Sequence, residues 1–413
     1  MKVKKSLLLL ITYVLLIVIY KYIIAKNFGY LGFQVEYYSF SKAFFVSLIV
    51  IFFVLLGSFF KNSFYSLIYT ISLTMLFFGQ AIFYIFNDSN FSIVVYMGLP
   101  VFLLFIIDKI DNDKIGLKVR KLNLKDTYTY VFLIIITAFL ILPYFKNINM
   151  INWKNLLFID VYDSRQLDDI ESSFLMGYVF APIARVLLPF LFVYSINNKA
   201  KLLTLFSTIS IIFIFLLNGA LKSILIGFLA AIFFLKGDYI QKKLRYLNAL
   251  FLTFSIGIIE NMVGGSYLIA DYLRRIFFTP SRLFQVYYDY FNENYTYFNH
   301  SRIAKLLGVS EYDVFIPHFI GRYVMGREGL SANVGIFTEG FFSFGLYGVI
   351  ISSIIFVFII YMIRKSNIPP MYFGIVFSFL YVINTSFIET LFITHGLLFF
   401  IVFAYFVIPT QKV

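Results

Sequence analysis

The chain contains no cysteine, which excludes disulfide bridges, cysteine-ligated zinc and thiol catalysis together. It has 3 histidines, too few for a histidine-rich metal site. Charge is scarce as well: 13% of the 413 residues are Asp, Glu, Lys or Arg, about half the share of a soluble globular protein. No P-loop, Rossmann glycine fingerprint or metalloprotease signature occurs. What abounds is apolar, 61% of the residues. A water-soluble fold of this length has no interior large enough to hide that much apolar surface, so lipid is the solvent the composition requires.

Apolar runs of the length a helix needs to cross a bilayer fall near 6–25, 43–60, 64–86, 91–108, 128–146, 175–196, 202–217, 221–236, 246–265, 336–363, 371–388 and 390–408. The expected fold is an all-α polytopic membrane protein, a single integral membrane domain of about 12 transmembrane helices. The first run follows Lys2, Lys4 and Lys5 in the manner of a signal peptide. It is longer than a signal core and lacks a small-residue cleavage site, so it is read as a retained span. The net charge of +13 would suggest nucleic acid in a soluble protein, but here it follows topology. Lys61, Lys242, Lys243 and Arg245 and a basic loop at about 109–127 fall on one side, which the positive-inside rule assigns to the cytoplasm. Two long loops, about 147–174 and 265–335, then face outward. Loops of that length are usually functional, and the apolar residues of the second predict folding against the outer leaflet, partly as amphipathic helix. No internal repeat is visible, which argues against a transporter of inverted-repeat type.

The larger outer loop carries Arg274, Arg275, Arg282, Arg302, Lys305, Arg322 and Arg327 against Asp271, Asp289, Glu293, Glu311, Asp313 and Glu328. It is therefore no bulk cationic funnel, and placement decides. On a continuous helix Arg275 and Arg282 share a face, although Pro280 stands between them. A guanidinium fork suits a pyrophosphate; lipid headgroups or Asp271 and Asp289 are the competing partners. Arg165 lies among acids in Asp160–Asp169 and by itself reads as an exposed arginine. Arg185 falls inside a span and must face the protein interior or a wet cavity, as an ion-pair member or a substrate contact. Glu339, at the mouth of the 336–363 run, is either a general base or an ion pair that closes the outer loop. His395 is an intramembrane candidate for function or for helix-to-helix hydrogen bonding. Lys222 either lines a cavity or snorkels. His300 and His318 read as loop residues. The glycine and aromatic stripe from Gly335 to Gly348 fits helix packing.

Several stretches, taken as a set in their order and spacing, carry a resemblance. These are Arg275-Ile276-Phe277-Phe278-Thr279-Pro280 with Tyr287-Tyr288-Asp289-Tyr290-Phe291; Ile316-Pro317-His318-Phe319-Ile320-Gly321; and Ser331-Ala332-Asn333-Val334-Gly335 before Glu339-Gly340 and Phe344-Gly345-Leu346-Tyr347-Gly348. Upstream stand Tyr162-Asp163-Ser164-Arg165 before Gly177-Tyr178 and Pro189, and Asn218-Gly219-Ala220-Leu221-Lys222-Ser223; Thr394-His395-Gly396 comes late. Together they resemble the Wzy family of oligosaccharide repeat-unit polymerases, which build O-antigen and capsule chains in bacteria. One proline precedes His318 where the family pattern has a pair.

The resemblance implies a GT-C-like architecture at the outer face of the bacterial cytoplasmic membrane. It implies a glycosyltransferase that moves a growing chain from undecaprenyl pyrophosphate onto the non-reducing end of a new lipid-linked repeat unit, and a chain-length regulator and a flippase as companions. On that reading Arg165 and Arg275 clamp the leaving pyrophosphate and Glu339 takes the acceptor proton. Arg185, Arg274, Arg282, Arg322, Asn333, Lys222 and His395 then bind substrate. No outer Asp-x-Asp pair stands ready for a metal, Asp168-Asp169 being the nearest, so no metal or cofactor is expected, and no nucleic acid. The rivals are a lipid-linked oligosaccharide flippase, which calls for basic residues within helices and short outer loops; an O-antigen ligase, whose outer loop also carries arginines; and a membrane acyltransferase, for which no histidine-centred motif is present.

Overall fold

The computed structural model describes residues 2–111, 127–145, 151, 179, 181–217, 222–264, 267–310, 312 and 314–409. Among these residues all regular structure is helical. Every apolar run carries helix. Five helices are long and apolar enough to cross a membrane, Ser6–Leu31, Ser63–Phe86, Phe91–Ile110, Tyr239–Val263 and Ile336–Lys365, and further apolar helices such as Phe40–Leu56 and Lys201–Leu217 are shorter. The chain forms two compact units, each built from discontinuous segments. One comprises Met1–Asn112, Tyr239–Tyr361 and Ile383–Phe387; the other comprises Asp113–Asp238, Met362–Val382 and Ile388–Val413.

The first unit is organised around Ser63–Phe86, which is almost wholly buried. Polar residues at the helix starts satisfy amide groups that have no partner within the helix. Asn62 accepts from the Phe64 amide at 2.9 Å and Asn90 from the Ser92 amide at 2.8 Å. The carboxylate of Asp108, at the end of Phe91–Ile110, accepts from the amides of Lys61 and Asn62 at 2.8 and 2.9 Å and fastens the loop before Ser63. On Phe40–Leu56 the side chains of Val46, Val50 and Phe53 are buried, while Phe44, Leu48, Ile51 and Leu55 are exposed. An exposed apolar stripe at helical spacing is a liability in water and a lipid-facing surface in a bilayer.

Ile336–Lys365 departs from the straight span expected at 336–363. Its backbone is non-helical at Phe344 (φ −145°, ψ 21°) and Gly345 (φ 59°, ψ −138°), and the chain folds back there. The rings of Phe337 and Phe356 lie 5.8 Å apart, whereas an unbroken helix would separate those positions by about 28 Å. The two arms cross at Gly340 and Gly348, so closely that a Cβ on Gly348 would stand 1.8 Å from the Gly340 carbonyl oxygen. The first arm is about 12 Å long, too short to cross. Its terminal carbonyls, orphaned where the helix stops, accept from a loop: Thr296 N to Phe342 O at 2.9 Å and Tyr297 N to Ser343 O at 3.1 Å.

The segment leading into that arm is irregular and is tied to neighbouring chain by hydrogen bonds of its backbone. The Ala332 amide donates to Pro317 O at 2.9 Å and the Ala332 carbonyl accepts from the Tyr287 hydroxyl at 2.9 Å. The Ile336 amide donates to Ile383 O at 3.3 Å. Next to Ile383, the Asn384 side chain donates to Met75 O at 3.1 Å. Met75 lies in a π-helical stretch, Leu73–Phe78, where the widened turn frees a carbonyl for such a partner.

In the second unit, Lys222–Phe233 packs on Phe373–Val382 and Ala181–Asn197 on Lys201–Leu217. Phe190 forms the aromatic centre, its ring 5.4 Å from that of Tyr372 and 4.8 Å from that of Phe403.

Candidate functional site

The outer-loop residues of the first unit form a continuous helical run, Leu268–Leu273, a π-helical turn Arg274–Phe278 and Thr279–Phe291. Pro280 does not break it, because it stands in the first turn of the last segment, where its missing N–H costs nothing. The π turn changes which arginines align. One extra residue in the turn carries Arg275 off the face it would share with Arg282 and brings Arg274 to that face. Arg275 is accordingly exposed, with Nε 2.7 Å from Asp271 Oδ2. Arg274 holds the other oxygen of the same carboxylate, Nη2 to Oδ1 at 2.5 Å, donates to the Thr279 hydroxyl at 3.3 Å, and lies over the Phe28 ring. One acid thus serves two arginines.

Arg282 has no such partner among the described residues. It is half-buried over the ring of Phe33 at 5.9 Å. Burial pulls its guanidinium below its usual range, and the charges of Arg327 and Arg274 pull it further in the same direction. Arg327 is held by a single long contact, Nη2 to the carbonyl of Tyr30 at 3.4 Å. The opposite wall is therefore the chain between the first and second apolar runs: Phe28, Tyr30, Gly32 and Phe33. Gly32 (φ +86°) sits so near Arg282 that a Cβ there would come within 2.7 Å of Nε, so the arginine can lie down only over a glycine. Like charges held together without counter-charge are unfavourable unless an anion completes them. Arg282 and Arg327, which have no acidic partner among the described residues, with Arg274 beside them on Asp271, are thus the arrangement in the first unit best suited to a multiply charged anion. Arg327 was not among the arginines the sequence singled out, since nothing around it distinguishes it from its neighbours.

The same helix carries Gln285 and Asp289 one and two turns beyond Arg282. Gln285 donates to Asp289 at 2.6 Å and accepts from the Ser89 hydroxyl and the Asn90 amide at 2.8 and 3.0 Å. Burial pushes the Asp289 carboxyl above its usual range; the Gln285 hydrogen bond opposes this and the charge of Asp88 adds to it. A carboxyl raised by folding favours the folded state below its unfolded pKa, and that contribution is lost as pH rises through the folded value. Asp289→Asn is therefore expected to unfold at a higher temperature than the parent near pH 7, and at the same temperature below about pH 3, under the ordinary carboxylate range; a pair of thermal melts checks it. Beside this helix the rings of Tyr288, Tyr96 and Tyr295 surround Phe341 at 4.8, 5.7 and 6.0 Å.

Glu339 lies on the short arm before the fold-back and is buried, with 2% of its surface exposed. His300 Nε2 is 3.5 Å from Glu339 Oε1, and His300 Nδ1 is 2.9 Å from the Thr296 hydroxyl. The rings of Phe342 and Phe387 pack on the imidazole at 4.6 and 5.6 Å. Burial and the Glu339 charge both push the neighbouring Tyr287 phenol up. The pair closes the outer loop onto the arm. His300, a loop residue as expected, is thus also a buried partner, which its sequence neighbourhood does not signal. His300→Ala is expected to cost about 1–3 kcal/mol by removing a partner from a buried carboxylate, and His300→Gln, which can still donate, less than half of that; equilibrium unfolding of the two variants reads the difference.

The remaining candidates are dispersed. Arg322 is exposed, 3.7 Å from the equally exposed Glu328, and lies over the ring of its neighbour Tyr323; such a pair is worth little. Asn333 accepts from the Ser331 hydroxyl at 3.0 Å at the surface. In the second unit, Arg185 donates to the Thr394 carbonyl and to His395 Nδ1, the latter at 2.9 Å. A guanidinium only donates, so Nδ1 accepts and the imidazole proton sits on Nε2. The two candidates thus hold each other. Lys222 begins the Lys222–Phe233 helix, and Arg165 lies outside the described residues. Among the described residues no group of acids and histidines could hold a metal ion. No family model, curated protein or solved structure matches the chain.

Proposed function

We propose that the protein polymerises lipid-linked oligosaccharide repeat units, with the growing chain leaving undecaprenyl pyrophosphate for the non-reducing end of a new unit. The observation that carries the reading is Arg282, half-buried and without a counter-charge among the described residues, beside the charges of Arg274 and Arg327. A pyrophosphate leaving group gains negative charge as its bond to the sugar breaks, and fixed guanidinium groups stabilise that charge without reorganising. Tyr96, Tyr288 and Tyr295 offer ring faces of the kind that stack on sugars. Asp289 lies on the accessible side, about 10 Å along the helix from Arg282, and is a proton acceptor open to an acceptor hydroxyl. Glu339, paired and enclosed, is assigned the role of holding the loop that carries these groups.

The family resemblance supports the same reaction and directs Arg165 to the same pyrophosphate. A flippase would need its basic residues along a path through the helices, whereas the uncompensated arginines here belong to outer segments. The test is purified protein given lipid-linked repeat units without nucleotide or metal, with products resolved as a ladder. A ladder from the parent that collapses in Arg282→Ala supports the reading. A well-folded parent that forms no ladder overturns it, and transfer to a lipid A core acceptor under the same conditions would move the assignment to a ligase.

A further inference from the structure

At the other end of the first unit, four helices frame a cavity of about 310 Å³. Its rim is polar: Ser6, Ser58, Lys61, Ser63, Ser66 and Lys243. Lys243, 8% exposed, donates to the Ser66 hydroxyl at 3.0 Å, and the Ser6 and Ser58 hydroxyls are 2.9 Å apart. Its floor is apolar: Leu9, Val54 and Leu73. The change from polar to apolar runs the same way along the segments that carry these residues, while on Tyr239–Val263 Ile240 stands at the rim one turn before Lys243. Leu9 is one turn inward from Ser6, Val54 one turn inward from Ser58, and Leu73 two turns inward from Ser66. Among the described residues two lysines line the cavity and no carboxylate does. The nearby Asp108 is turned to the amides of Lys61 and Asn62 and to Lys109.

We propose that this cavity binds one anionic phospholipid, its phosphate among Lys61, Lys243 and the serine hydroxyls and the first carbons of an acyl chain against Leu9, Val54 and Leu73. Lysines and hydroxyls recognise phosphate by charge and hydrogen bonding. A soluble phosphate compound would have no use for the apolar floor. The lysine and arginine bias places this end at the cytoplasmic face, where anionic headgroups concentrate. The inference stands apart from the proposed reaction and from the arginines that carry it.

The test is native mass spectrometry of protein released from phosphatidylcholine nanodiscs doped with phosphatidylglycerol, paired with thermal melts in discs with and without the anionic lipid. The parent is expected to retain one phosphatidylglycerol per chain and to melt higher in its presence. Lys243→Gln is expected to lose retention at least tenfold. Lys61→Gln, an exposed position that leaves the fold intact, is expected to lose it several-fold, while Lys26→Gln at the opposite end keeps it. Equal retention of phosphatidylcholine, or unchanged retention in both Lys61→Gln and Lys243→Gln, overturns the proposal. Equal protection by millimolar inorganic phosphate overturns the lipid assignment in favour of a free phosphate compound.

Discussion

Arg282→Ala is expected to lower polymerisation about 100-fold or more, the usual cost of removing one fixed group that stabilises transition-state charge, while leaving the fold as stable as before. The two halves of that result come from one fact. Among the described residues Arg282 makes no ion pair that its loss would break, so the stability change comprises a lost contact over Phe33, worth about 0.5–1 kcal/mol, against relief from the charges of Arg327 and Arg274. The net should fall within about 1 kcal/mol. Arg275→Ala is the informative companion. Arg275 is exposed and shares Asp271 with Arg274, so its loss is expected to reduce the ladder several-fold and no more. Rates from the ladder assay, alongside melts of the same samples, check both. A variant at Arg282 that polymerises at the parental rate would remove the anion site from the mechanism.

Gly348→Ala is expected to be the most damaging single-methyl change in the first unit. The added Cβ would stand 1.8 Å from the Gly340 carbonyl oxygen, and backbone cannot step aside as a side chain can. Overpacking of a tight site costs about 1–3 kcal/mol and sometimes more; with backbone on both sides the upper end, about 3–5 kcal/mol, is expected. Such a loss should appear as protein that is degraded or aggregates on extraction. Gly29→Ala is the control, because nothing lies within 4 Å of that Cβ; it should behave as the parent. A Gly348→Ala protein as stable as Gly29→Ala would mean that the two arms do not cross.

These outcomes bear on what the sequence could tell. The helices were legible because lipid imposes a length, and runs such as 64–86 and 91–108 match observed helices within a few residues. The arginine loop was legible as a cluster of cations from residue type alone. Its internal register was not. The π turn Arg274–Phe278 exchanges the roles of Arg274 and Arg275, and one inserted residue leaves no mark in a pattern of periodicity. Partners distant in sequence were illegible for a different reason. Arg327 meets Tyr30, and His300 meets Glu339, through tertiary structure that no local pattern encodes. The glycine stripe was half legible: Gly340 and Gly348 do pack closely, as small residues in a span suggest, but against each other.

The fold-back at Phe344 and Gly345 also changes how sidedness should be assigned along this chain. Counted by apolar runs, 336–365 is one span whether it runs straight or doubles back first. Reporter domains fused at the two ends would give identical patterns for both shapes. A map drawn by counting apolar runs thus does not register a turn within one run. The doubled segment encloses a carboxylate, Glu339, while Asn333 just before it stays at the surface. The second arm, about 30 Å long, is by itself long enough to cross a hydrocarbon core, so the turn at Gly345, not the start of the helix, is where a span would begin.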